Sequence, residues 1–149
     1  MKKVFAALMV FASCMFSSAF AQGPSKAEAV DLVKKAAAAV QAGQKDKVIA
    51  EVNSKSGNWV KGDLYLVVLG ADGKHLAHPT NSGLLGQSML DVPDEAGKQF
   101  RKERLELAQA KGEGWIDYKY KNPSTGKVED KTMYVMKAGD VILSAGVQK

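Results

Sequence analysis

One cysteine, two histidines and four prolines are all that this sequence holds of the residues that most often build disulfides, metal centres and rigid linkers. The lone cysteine, Cys14, sits near the N-terminus, in a stretch read below as a removable leader. An internal disulfide scaffold and a mature catalytic thiol are therefore both excluded. The two histidines, His75 and His78, are three residues apart on a stretch that alternates like a strand. On a regular strand an odd separation sends them to opposite faces, which argues against a two-histidine metal site. No apolar run after the N-terminal one approaches the length of a membrane-spanning helix. Basic residues exceed acidic ones only mildly, 21 to 16, and are spread along the chain. That balance gives nucleic-acid binding no support and leaves attraction of a small anion open. Gly-x-Ser-x-Gly, His-Glu-x-x-His, phosphate-loop and dinucleotide fingerprints are all missing, so the chain is not read as an enzyme and no cofactor is expected. Internal repeats and low-complexity linkers are missing too.

What is present begins with a leader. Lys2 and Lys3 precede an apolar stretch over 4–16, and Ala19-Phe20-Ala21 offers a small-x-small cleavage site before Gln22. This reads as a secretory signal peptide over 1–21, with one domain over 22–149 exported to the periplasm or beyond and no membrane insertion of the mature chain. The competing reading is a lipoprotein box ending at Cys14. It lacks the usual leucine and shortens the apolar stretch.

Residues 63–79 organise the rest. An apolar run over 64–69 is too short for a stable helix, Gly70-Ala71-Asp72-Gly73 suits a turn, and 74–78 can pair back as the second arm of a hairpin. Pro79 ends that arm and leaves His78 at a strand exit. Upstream, Ser25 and Glu28 have capping-box spacing, and an alanine-rich apolar stripe predicts a helix from Lys26 to just before Gly43. A short second helix is predicted over 45–53. Residues 80–93 have no period and read as a long ordered loop. Asp94 is the expected cap of a third helix running to about Lys111. Three strands follow, near 115–120, 128–137 and 141–147, and the last is apolar enough to be central. Short hairpin connections imply antiparallel neighbours with the first and last strands meeting in the middle. The predicted fold is α+β: a PAS-like five-stranded antiparallel sheet with a long N-terminal helix and a helix between strands two and three.

Several spaced motifs then carry a family resemblance: Asp63-x-Tyr65, Asp72-Gly73, Ala77-His78-Pro79, Leu85-Gly86, Gly112-x-Gly114-Trp115-x-Asp117-Tyr118, Asn122-Pro123-x-x-Gly126-Lys127, Lys131-x-x-Tyr134-Val135 and Ala145-Gly146. From about Gly62 onward the chain resembles the single Cache domains, PAS-like extracytoplasmic sensor modules of bacteria. The resemblance implies a small-ligand pocket between sheet, helix and long loop, for short organic acids of the acetate, propionate, lactate or pyruvate class. No output domain follows the last strand in the sequence, so a signal would pass to a separate, membrane-bound sensor protein. The alternatives are a ligand-free structural protein of the cell envelope and, further off, an enzyme built around His78.

The candidate ligand-binding residues are His78, Tyr118, Lys131 and Tyr134, with Trp115 and Arg104 behind them. A carboxylate needs a fixed cation and hydroxyl or ring N–H donors in a half-dry cleft. Each candidate has a plainer reading: His78 tying the loop to a backbone carbonyl, the aromatics as half-buried core, Lys131 as a solvated charge, Arg104 as a snorkelling side chain. Lys131 and Tyr134 are an odd number apart and share a pocket only across a bulge or at a strand edge. Trp115 falls on the face opposite Tyr118.

Overall fold

The first helix, α1 (Lys26–Gln41), starts at the box its sequence announces: the Glu28 amide donates to Ser25 Oγ at 3.2 Å and the Ser25 amide to Glu28 Oε2 at 2.7 Å. In the computed structural model, residues 23–122 and 125–149 are described. The expected leader, Cys14, and Pro123-Ser124 of the expected turn lie outside them. After α2 (Lys45–Asn53) come β1 (Val60–Lys61), β2 (Leu64–Gly70) and β3 (His75–Ala77), then α3 (Phe100–Lys111), β4 (Glu113–Lys121), β5 (Val128–Ala138) and β6 (Val141–Gln148).

All strand pairs are antiparallel, in the order β1-β2-β6-β5-β4, with β3 also on β2. The final strand is central, flanked by β2 and β5, as its apolar sequence requires. The sheet has six strands rather than five because the two-residue β1 pairs back onto the start of β2. The hairpin of β2 and β3 forms, with a register shift between Val68 and Leu69.

Strand alternation divides the sheet into two faces. Leu66, Val68, Tyr134, Leu143, Ala145 and Val147 face α1 and α2 and join one apolar cluster. Ala29 and Ala36 of α1 are fully buried there, and their small side chains let the helix lie close to the strands. Val67, Leu69, Ile116, Val135 and Ile142 face the other way and cluster with Phe100 and Ala108 of α3.

One expectation fails at the start of α3. Asp94 does not cap that helix, which begins six residues later with Gln99 as an N-cap making no side-chain bond. Gly97 at φ 84° closes a separate turn first. Asp94 Oδ1 accepts the amides of Ala96 and Lys98, each at 2.9 Å, and Oδ2 accepts the Lys119 amide at 2.8 Å. The residue thus caps its own turn and fastens the loop to β4, an edge strand whose outward amide would otherwise lack a partner. Among the described residues, no helix is long and apolar enough to cross a membrane.

Candidate functional site

The α3 face of the sheet is hollow at one end. Between β2, β4, β5, β6, α3 and the loop over 79–99 lies a cavity of about 220 Å³. The strands place Tyr65, Tyr118, Tyr120, Lys131 and Ser144 on its floor, all at positions that alternate toward this face. Arg101 and Arg104, one helical turn apart on α3, line its wall, and Asn81, Leu84 and Met89 of the loop cover it. No carboxylate lines it among the described residues. A second hollow of about 280 Å³ shares Tyr65, Tyr120, Lys131 and Gly146 with the first and adds the acids Asp63 and Glu129.

Arg104 is the deepest cation. It is 4% exposed, and its Nη1 donates to Ser144 Oγ at 3.2 Å. Its Nε is buried without a hydrogen-bond partner among the described residues. Burial, with Arg101 nearby, pushes its pKa down to about 10, so it stays protonated at neutral pH. A buried guanidinium with an unused donor is a costly arrangement unless something else completes it. Arg101 donates to the Val92 carbonyl at 3.0 Å and so ties the loop to the cavity wall.

Lys131 is buried, 5.2 Å from the Tyr120 ring centroid. Burial lowers its pKa, partly offset by Glu129 and Asp63. Tyr118 stacks on Phe100 with centroids 4.7 Å apart, and burial raises its phenol pKa. A Cβ on Gly146 would overlap Tyr118 Oη, so the glycine makes the room that this ring occupies. Tyr65 is pushed up to about 12, chiefly by burial. These phenols remain neutral and available as hydrogen-bonding groups.

Both histidines face the cavity, contrary to the alternation argument. The strand β3 ends at Ala77, so strand geometry no longer sets the direction of His78. Its ring turns back to lie 6.0 Å from that of His75 and 5.6 Å from that of Tyr65. His78 also ties the loop, but as an acceptor of the Asn81 amide at 3.1 Å rather than as a donor to a carbonyl. Burial, then His75 and the two arginines, push its pKa down to about 4.

Of the six candidates, the structure brings His78, Tyr118, Lys131 and Arg104 around one cavity. Tyr134 and Trp115 do not line it. They lie on the α1 face, rings 5.4 Å apart, with Lys26 of α1 5.3 Å from the Trp115 ring. Tyr134 Oη donates to Glu113. The strand β5 runs through 131–134 in unbroken register with β4 and β6, so no bulge brings Tyr134 to the face of Lys131. Arg101, His75, Tyr65, Tyr120 and Ser144 are cavity residues that sequence reasoning did not select. Signals for three existed: Arg101 stands three before Arg104, Tyr120 alternates with Tyr118, and Ser144 is the polar residue inside an otherwise apolar strand.

Comparison with known proteins agrees with this architecture. The chain is 36% identical over 74 residues to the sensor histidine kinase MctS of Rhizobium johnstonii, a match spanning 50% of this chain and 16% of that kinase. A Cache chemosensory domain solved for its recognition of carboxylic acid superposes with a TM-score of 0.70 at 22% identity, covering 82% of this chain and 91% of the other. A methyl-accepting chemotaxis protein from Vibrio parahaemolyticus superposes with a TM-score of 0.67 at 16% identity, covering 83% and 87%. The family single Cache domain 2 matches residues 25–148. This chain therefore belongs to the single Cache domain 2 family of extracytoplasmic sensor domains.

Proposed function

We propose that this domain binds a short organic acid through its carboxylate in the cavity of the α3 face, and that it does so as a sensor rather than as an enzyme. The observation that carries this reading is Arg104: a buried guanidinium with an unpartnered Nε, beside Arg101, in a cavity whose lining includes no acid among the described residues. A carboxylate would supply the missing acceptors and part of the missing negative charge. His78, Lys131, Tyr118 and Ser144 stand around the same space as further donors. The carboxylic acid recognised by the similar Cache domain supports the same ligand class, with acetate, propionate, lactate and pyruvate as the first members to test.

The proposed setting is the periplasm, reached by cleavage of the leader over 1–21, with 22–149 folding as one unit. A membrane-bound sensor protein would receive the signal. Support comes from the family and from the kinase relative. Within the domain, the loop over 79–99 is suited to report occupancy, because Arg101 and His78 bind it and line the cavity at once.

Thermal-shift screening of the purified domain against these acids tests the reading. A ligand at a hundredfold its dissociation constant adds about 2.7 kcal/mol of stability, a rise of several degrees in a domain of this size. No response to any short carboxylate would favour the ligand-free structural protein instead.

A further inference from the structure

The two imidazoles of the cavity are held by the backbone in opposite tautomers. The Asn81 amide approaches His78 Nδ1 at 3.1 Å, and because an amide nitrogen only donates, Nδ1 must carry the lone pair. The proton of the neutral ring then sits on Nε2. His75 shows the reverse: its Nδ1 faces the Gln87 carbonyl at 3.3 Å. A carbonyl only accepts, so Nδ1 carries the proton and Nε2 the lone pair. The His75 amide donates to the same carbonyl at 3.1 Å, and the Gly86 amide donates to the His75 carbonyl at 2.8 Å. The loop therefore sets this ring as firmly as the strand does. Burial beside Arg104 and Arg101 lowers the pKa of both rings and keeps them neutral.

At their second nitrogens the pair thus offers one donor, His78 Nε2–H, and one acceptor, His75 Nε2. The charged groups of the cavity, Arg101, Arg104 and Lys131, are donors only. A plain carboxylate brings acceptors alone and adds no proton for the His75 lone pair to accept. A ligand with a hydroxyl next to its carboxylate supplies one. An ammonium could donate too, but three neighbouring cations oppose it.

We propose that His75 is a specificity-determining residue, and that its Nε2 accepts the hydroxyl of a 2-hydroxy acid whose carboxylate is held by the arginines and His78. The inference rests on the carboxylate reading of this cavity and narrows it from short acids in general to hydroxy acids.

Four acids of equal carbon count separate the possibilities: lactate, propionate, pyruvate and alanine, titrated calorimetrically into the mature protein. Lactate should bind roughly tenfold more tightly than propionate or pyruvate, the worth of one added hydrogen bond in a buried site, and alanine should bind weakest. In His75→Asn the side-chain amide can still donate to Gln87 while Nε2 is lost, so the lactate-to-propionate ratio should fall to about one. Propionate binding as tightly as lactate in the wild type would overturn this proposal and leave the carboxylate reading standing. Failure of all four, and of acetate beside them, to bind would overturn the carboxylate reading itself. Long-range ¹H–¹⁵N spectra of the wild-type rings give a test that no variant can confound. Protons on His75 Nδ1 and His78 Nε2 are expected, and the same tautomer on both rings would overturn the proposal.

Discussion

The two faces of one sheet are built from interleaved residues and do different work. On β5, Thr132 and Tyr134 turn one way while Lys131 and Met133 turn the other; on β6, Leu143, Ala145 and Val147 back onto Ser144 and Gly146. The α1 face is filled by aliphatic side chains and alanines that bring a helix down onto the strands. The α3 face has its own apolar cluster near Phe100, Ile116 and Ile142, but where Arg104, Ser144 and Lys131 project it remains hollow and carries charge. The filled face contributes the stability that the hollow face draws down, since buried cations and empty space both cost free energy. A sensor needs that asymmetry.

The largest expected effect comes from opening the filled face. Leu66→Ala should lose about 2–5 kcal/mol in chemical denaturation, because Leu66 is fully buried and its truncation removes apolar contacts and leaves a cavity. Arg104→Met should do the opposite on the hollow face. Its stability should stay level or rise, because an unpaired buried charge is removed, while carboxylate affinity falls by about 1.5–3 kcal/mol in calorimetric titration. A stability loss like that of Leu66→Ala would mean that Arg104 serves the fold and that the two faces are not so different.

Acid should weaken the hollow face through His78. Its folded pKa is depressed from 6.5 to about 4, so between these values the unfolded chain takes up a proton that the folded one refuses. This contribution to stability is whole above pH 6.5 and is lost as pH falls through the window. Protonating Nδ1 would also set it against the Asn81 amide, so the loop should loosen over the same range. Urea denaturation from pH 7.5 to 4.5 measures the slope, which should shrink in His78→Gln. The smallest effect belongs to Tyr134→Phe. That substitution removes the bond to Glu113 on the α1 face and should leave carboxylate affinity within about 0.5 kcal/mol of wild type by calorimetry.

Most of the fold could be read from the sequence because its signals are local. The Ser25–Glu28 box, the spacing of α1, the hairpin glycines and the apolar β6 each act within a few residues. What escaped depends on contacts made elsewhere. The short β1 exists only through β2, and Asp94 is claimed by the edge amide of Lys119 before it can serve α3. The cavity was legible in part for the same reason. Alternation separated Lys131 from Tyr134 and Tyr118 from Trp115 correctly, and the structure keeps each pair on opposite faces. Alternation failed for His75 and His78 because it holds only within a strand, and β3 stops between them. Arg104 reads as a snorkelling side chain until β6 is known to pass beneath it and offer Ser144.

If Arg104 holds the carboxylate, its own Nε–H resonance is the most direct witness. That signal can be assigned by its loss in Arg104→Met and followed by ¹H–¹⁵N correlation while lactate or propionate is added to the mature domain. A saturable downfield shift is expected as the bare Nε–H gains an acceptor, with the resonances of Tyr134 and Trp115 on the far face almost still. An Nε–H signal that stays in place while the ligand binds, with the shifts gathered on the α1 face, would contradict it.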